Sequence, residues 1–262
     1  FNLPKGQTLI EILELSRKYQ AQVSIDLSGQ VLAALYELLR GFQTANDDES
    51  GKLLAKTLKE NPQLIYEGLL TTLLRMVFIM YAEDRNLLAT DEIYQSSYSL
   101  AGLYQRLRQD EAQNPDTMDS RYGAWAHLIS LFRLIYDGAE YDSEKGKVIL
   151  PARHGHLFDP SIYLFLEGRD SKDHLYNKAP KLSDGVVFRV LKNLLVLKGE
   201  RISYRTLDVE QIGSVYETMI GFELGQAEGE TIALKPAKSH GAPLPINLDE
   251  ILVTKDKAKK LG

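Results

Sequence analysis

The run Leu64–Ala82, LIYEGLLTTLLRMVFIMYA, constrains the fold of this chain more than any other stretch. As a helix it is long enough to cross about 30 Å of hydrocarbon, but it carries Glu67 and Arg75. A charge near the middle of a span costs roughly 3 kcal/mol on insertion. The run therefore predicts a buried helix in an all-α core and no membrane span. A buried guanidinium needs a partner, and Glu67 and Glu83, eight residues to either side of Arg75, are the expected ones.

Periodicity around this run predicts more helices. Thr8 and Glu11 have the spacing of a capping box and open a helix that ends near Tyr19. A second helix is expected from Val31 to Leu39, stopped by Gly41, with 44–51 (TANDDESG) as a polar surface loop. From Lys52 to Asp137 the pattern stays helical, through Tyr98–Leu107 and then Trp125, Leu128, Ile129, Phe132 and Ile135. Between Gly138 and Gly185 it breaks down into short apolar pieces punctuated by Gly and Pro, which predicts an irregular excursion packed on the helices. Ser183 and Asp184 start a returning helix with Gly199 as its terminator, and Asp208 and Gln211 open another that buries Ile212, Val215, Tyr216, Met219 and Ile220. Beyond Gly225, Thr231–Leu234 and a Gly-Pro-rich turn predict a short hairpin or extended tail.

The expected fold is mainly α, an irregular helical bundle with a loop-rich excursion and a short C-terminal hairpin or tail. Its segments are 1–51, 52–137, 138–185, 186–225 and 226–262. At 262 residues and 44% hydrophobic, the chain can bury the core of one large domain or two small ones. A start at Phe1, with no Met, basic stretch or apolar leader, predicts a piece of a longer polypeptide. The absence of cysteine removes disulfides, thiolate zinc sites and thiol nucleophiles, and suits a reducing cytoplasm.

Few residues suggest chemistry. No G-x-x-x-x-G-K-[ST] loop, G-x-G-x-x-G, G-x-S-x-G or H-E-x-x-H occurs, so phosphate cradles, nucleophile elbows and zincin helices are unsupported. His154, His156 and His174 lie near Asp159, Asp170 and Asp173 without the spacing of a recognised metal site; loop histidines are the simpler reading. Glu144-Lys145-Gly146-Lys147 and Asp249-Glu250 only approximate a carboxylate-lysine nuclease centre. Asn61-Pro62-Gln63-Leu64 lacks the second proline and the aromatic of an adenine-holding Asn-Pro-Pro-aromatic loop, and reads as the start of a helix. The net charge of -5 argues against a nucleic-acid-binding surface overall. A local patch is not excluded: six lysines between Lys235 and Lys260 face three acids. Lys235, Lys238, Lys255 and Lys257 are the candidate contacts to a DNA backbone, against the plainer reading of a solvated tail.

Three stretches carry a resemblance. Tyr81-Ala82-Glu83-Asp84-Arg85-Asn86-Leu87-Leu88 looks like a "YAEDRxLL" helix end. His156-Leu157-Phe158-Asp159-Pro160, followed by Phe165-Leu166, looks like a "GLFDP…FL" loop. The stretch 204–217, YRTLDVEQIGSVYE, looks like "YRxLxVxxLGxVYExLL". In this order they resemble the region before the catalytic domain in Eco57I-like adenine-specific (N6) DNA methyltransferases, a family that includes fused type IIG restriction-modification enzymes. The resemblance covers roughly residues 60–225; His156 stands where a Gly is common, and Ile220-Gly221-Phe222 replaces the usual Leu-Leu ending.

The resemblance implies a helical connector in a restriction-modification or phage-defence polypeptide, with DNA and an adjacent methyltransferase domain as partners. S-adenosylmethionine would be the parent's cofactor, and the glycine-rich cofactor loop and Asn-Pro-Pro-aromatic loop would follow Gly262. No cofactor, metal or catalytic role falls on residues of this stretch, which alone should be inactive. Read singly, Tyr81 and Tyr216 are packed aromatics with hydrogen-bonded hydroxyls, Glu83, Asp84 and Arg85 make helix-end or interhelical ion pairs, and Phe158 and Pro160 anchor a loop. The alternative function is a helical protein-interaction scaffold with no nucleic-acid role; a metal-dependent enzyme centred on His154, His156 and Asp159 ranks below both.

Overall fold

A computed structural model describes residues 9–143, 146–171, 178–206, 213, 217, 227, 229–234 and 244–249, with side chains from residue 29 onward except at 141, 143, 146, 148, 149, 206 and 244. The chain is mainly α-helical and divides into two compact units, Phe1–Ile220 and Gly221–Gly262.

In the first unit, α1 runs unbroken over Leu9–Asp48. The two short helices expected there are one, and Thr8 of the expected capping box lies outside the described residues. Gly41 does not stop α1, because it serves packing: a Cβ at this position would lie 2.7 Å from a Val186 methyl. That close approach lets α1 lie along α7 (Asp184–Leu195). The expected loop shrinks to a turn at Ser50 and Gly51, both at positive φ. Asn46 closes it, accepting Gly51 N–H on its carbonyl and Leu54 N–H on its side chain.

After α2 (Lys52–Glu60), Asn61 and Pro62 lead into α3, Gln63–Asp84. The Asn61 side chain accepts Gln63 N–H, and proline suits a helix start because its missing N–H has no intrahelical partner there anyway. Among the described residues α3 is the one helix long and apolar enough to cross a membrane by length and composition, and two-thirds of its apolar window is buried inside the fold.

Next come α4 (Glu92–Ser97), α5 (Leu100–Gln113), a 3-10 turn at Pro115–Ser120, and α6 (Ala124–Asp137). Asp91 caps α4 through Tyr94 N–H, and Ser99 caps α5 through Gly102 N–H. Ser183 caps α7 as its position predicts, accepting Val186 N–H, while the buried Asp184 carboxylate accepts Ala124 N–H at the start of α6.

The excursion has more order than the lost periodicity suggests. β1 (Ala139–Ser143) and β2 (Gly146–Leu150) form an antiparallel hairpin, with Ala139 opposite Leu150. The following loop contains 3-10 turns at His156–Phe158 and Leu164–Glu167. Gly199 does not end α7 either. The helix stops at Leu195 and passes into a small hairpin, β3 (Val196–Leu197) and β4 (Glu200–Arg201). Lys198 and Gly199 form its two-residue turn, both at positive φ, the geometry that matches strand twist. The expected helix from Asp208 lies mostly outside the described residues, where only Gly213 and Glu217 are seen, both helical.

An aromatic cluster fixes the core. Trp125 is 1% exposed, meets Phe42 edge-on at 5.2 Å, and donates its indole N–H to Leu166 O at 3.1 Å. Phe42 also meets Phe165 at 5.5 Å. Phe165 fits because residue 68 of α3 is glycine, where a Cβ would lie 2.6 Å from its ring.

In the second unit, β5 (Thr231–Leu234) pairs antiparallel with β6 (Leu244–Asn247), the hairpin form of the expected tail.

The two helical glycines of α1 predict opposite outcomes. A methyl group added at Gly29 would meet no other atom within 4 Å, so Gly29→Ala should stabilise the fold by about 0.5–1 kcal/mol. Gly41→Leu should destabilise it by about 1–3 kcal/mol through overpacking against Val186. Thermal or denaturant unfolding of both variants tests this, and a stabilised Gly41→Leu contradicts the packing assignment.

Candidate functional site

The polar residues with the most structure around them sit on α3. Arg75 is 4% exposed. Its expected partners do not reach it, since eight residues of helix span about 12 Å. Glu67 is exposed and Glu83 is engaged elsewhere. Instead Arg75 donates from Nε to Leu157 O at 2.6 Å and from Nη2 to Asp159 O at 3.2 Å. Its guanidinium lies over Phe132, 5.4 Å from the ring centroid, and near Phe158 at 6.0 Å. Burial pushes its pKa down to about 10, opposed by the charges of Glu167 and Asp159, so it stays protonated at neutral pH. Arg75 thus holds the Leu157–Asp159 backbone, and buried Phe158 anchors the loop. Asp159 Oδ1 accepts the N–H and hydroxyl of Ser161, and Arg133 grips Glu167 through two bonds of 2.7 and 2.8 Å.

At the end of α3, three successive charged residues reach different elements. Glu83 accepts Leu100 N–H at 2.8 Å, Ala101 N–H at 3.2 Å and the Tyr94 hydroxyl at 3.1 Å. With Ser99 it satisfies the first N–H groups of α5, at the positive end of that helix. Burial pushes the Glu83 pKa up, and the three hydrogen bonds oppose the rise. Asp84 accepts Tyr204 N–H at 2.8 Å and lies 3.7 Å from Arg201 Nη2. Tyr204 is fully buried, donates its hydroxyl to Leu194 O at 2.8 Å, and has its pKa raised by that burial. Arg85 donates to Arg205 O at 3.1 Å, and its guanidinium covers Tyr81 at 4.4 Å. Asp84 thus makes an ion pair with another element, as its charge suggests. The bonds from Glu83 to α5 and from Arg85 to a carbonyl have no signature in spacing. The Tyr81 hydroxyl has no hydrogen bond among the described residues, and Tyr216 lies outside them.

The other candidates do not converge. His154 and His156 are exposed, and the His154 ring packs edge-on against Tyr136 at 5.3 Å. His174, Asp173, Glu144, Lys145 and Glu250 lie outside the described residues, as do Lys235, Lys238, Lys255 and Lys257. Lys147 pairs with Glu140 across the β1–β2 hairpin. Asp249 N–H bonds the Asn247 side chain at 2.8 Å. Among the described residues no group of three or more His, Asp or Glu side chains is placed to hold a metal ion. A cleft of about 220 Å³ opens between α2 and the loop at Tyr163–Asp170. Its Lys52, Lys56, Glu60 and Arg169 mix both charges, and Lys56 donates to Asp170 O at 2.8 Å.

His127 has no distinguishing sequence context. Its Nε2 lies 3.1 Å from Tyr98 O and its Nδ1 3.4 Å from Arg106 Nη2. A carbonyl can only accept and a guanidinium can only donate, so the ring carries its proton on Nε2 and is neutral. Burial, together with the Arg106 charge, lowers its pKa below the ordinary 6.5.

Compared with family models, with curated proteins and with solved structures, the chain matches none.

Two predictions test this arrangement. Glu83→Ala strands the α5 amides and the Tyr94 hydroxyl and should cost about 2–3 kcal/mol of unfolding free energy, while Glu83→Gln, which keeps an acceptor, costs less. Equal losses would contradict the capping role. For His127, a depressed folded-state pKa means that the neutral ring contributes stability above pH 6.5, lost as pH falls through the folded value. The stability advantage of wild type over His127→Gln should shrink from pH 7 towards 5; parallel curves would contradict the assignment.

Proposed function

We propose that this chain is the helical connector of an S-adenosylmethionine-dependent DNA adenine-N6 methyltransferase of the restriction-modification or phage-defence type, acting in the cytoplasm. The observation that carries this reading is the shared attachment of the three resembling stretches. The first is the end of α3 itself. The second, the loop at Leu157–Asp159, hangs from Arg75 of α3. The start of the third, Tyr204–Thr206, hangs from Asp84 at the end of α3 and from Arg85 just after it. Residues that read as separate motifs thus serve one scaffold.

The polar groups of this scaffold are spent on capping helices and fixing loops, which suits a spacer that keeps neighbouring domains in register. In the full polypeptide, an adjacent domain would bind S-adenosylmethionine and move its methyl group to adenine N6, with the base flipped out of the duplex. DNA and that domain are the partners this reading gives.

The coding sequence after Gly262 tests the proposal directly. It should encode a glycine-rich cofactor loop followed by an Asn-Pro-Pro-aromatic motif, and the 262-residue chain alone should transfer no methyl group. A downstream sequence without these motifs, or methyl transfer by the chain alone, would overturn it.

A further inference from the structure

The C-terminal end of α4 is closed by side chains from two other helices. A helix leaves its last carbonyls without intrahelical donors, and here the donors come from outside the turn. Gln95 O accepts the Ser99 hydroxyl at 2.6 Å, Ser96 O accepts Nη1 of Arg106 from α5, and Tyr98 O accepts Nε2–H of His127 from α6 at 3.1 Å. Arg106 and His127 are themselves joined, with Nη2 lying 3.4 Å from Nδ1. A continuous run of bonds therefore leads from Ser96 O through the guanidinium and the imidazole to Tyr98 O.

This run admits one protonation state. A guanidinium accepts nothing, so Nδ1 must offer its lone pair; a second proton on the ring would set two donors and two positive charges face to face. Arg106 is exposed and has no ion partner among the described residues, so it is free to leave. Tyr98 O keeps its donor, because Nε2 carries a proton in both states.

We propose that His127 and Arg106 form a proton-operated clasp on the end of α4: protonation of His127 expels the Arg106 side chain into solvent and frees Ser96 O, so that the last turn of α4 frays in mild acid. A helix of six residues does not sustain itself, so its end depends on such bonds. The start of α4 stays held, because Asp91 caps it and the buried Tyr94 donates its hydroxyl to Glu83.

The direction of the response follows from the charges around the corner. Burial and Arg106 lower the His127 pKa below 6.5, so the clasp is closed above that pH and opens as pH falls through the folded value. Glu83 faces the other side of the corner, against Tyr94, Leu100 and Ala101, with Asp84 beside it. Burial raises its pKa, so its uptake of a proton favours the folded form and opposes fraying in acid.

NMR of the full chain from pH 7 to pH 5 tests this. The ring nitrogens of His127 report its charge. Hydrogen exchange, corrected for its intrinsic pH dependence, reports the amides of Tyr98 and Ser99, both bonded to Tyr94 O. As His127 becomes charged, the protection of these two amides should fall about fivefold. His127→Gln, which takes up no proton, should show equal protection at both ends of the range. Arg106→Ala should show low protection throughout and raise the His127 pKa by removing the neighbouring charge. Glu83→Gln should keep the acid response. A ring that stays neutral down to pH 5 would overturn the proposal, as would a ring that charges while Tyr98 and Ser99 keep their protection. An acid response that persists in His127→Gln, or that vanishes in Glu83→Gln, would overturn it by assigning the switch to another group.

Discussion

A long apolar helix cannot bury a guanidinium halfway along it without giving it a partner, and much of this fold follows from how α3 does so and from how the three charges at its end reach other elements. Arg75 takes two backbone carbonyls, Glu83 takes the first amides of α5, Asp84 takes Tyr204 N–H, and Arg85 takes Arg205 O. Most of these partners are main-chain groups of other elements. Side chain to main chain bonds of this kind fix where a loop or helix end sits, because the acceptor or donor cannot rotate away. Truncating one of these side chains leaves a backbone group of another element unsatisfied, so the cost exceeds that of an exposed ion pair.

The helical elements are legible in the sequence because their apolar periodicity and caps are local. Ser183, Ser99 and Asp91 cap helices with bonds that span only three residues. The errors fall where tertiary contact overrides a local signal. Gly41 has the chemistry of a helix terminator, but Val186 across the helix interface needs the space it leaves. Gly199 has it as well, yet the chain turns there into a two-residue hairpin. The β1–β2 hairpin hides in alternating polar and apolar residues too few to set a period.

The site is legible in part. The resemblance brings out the EDR triplet at 83–85 and the loop at 156–160, but not the bonds that join them to α5, to Tyr204 and to Arg75 across long sequence separations. Helix periodicity points Arg75 to the wrong partners because it considers only residues on the same helix, while the carbonyls Arg75 takes lie more than eighty positions away. His127 gives no sequence signal, since its neutral state depends on two contacts from other elements.

The central claim is that the α3 end fastens separate elements through individual bonds, so that each can be released alone. Hydrogen exchange of the full chain carrying Asp84→Ala tests this most directly. The Tyr204 amide and the β3–β4 turn should exchange faster, while Leu100 and Ala101, held by Glu83, keep their protection. Unchanged exchange at Tyr204, or equal loss of protection at Tyr204 and at the start of α5, would contradict it.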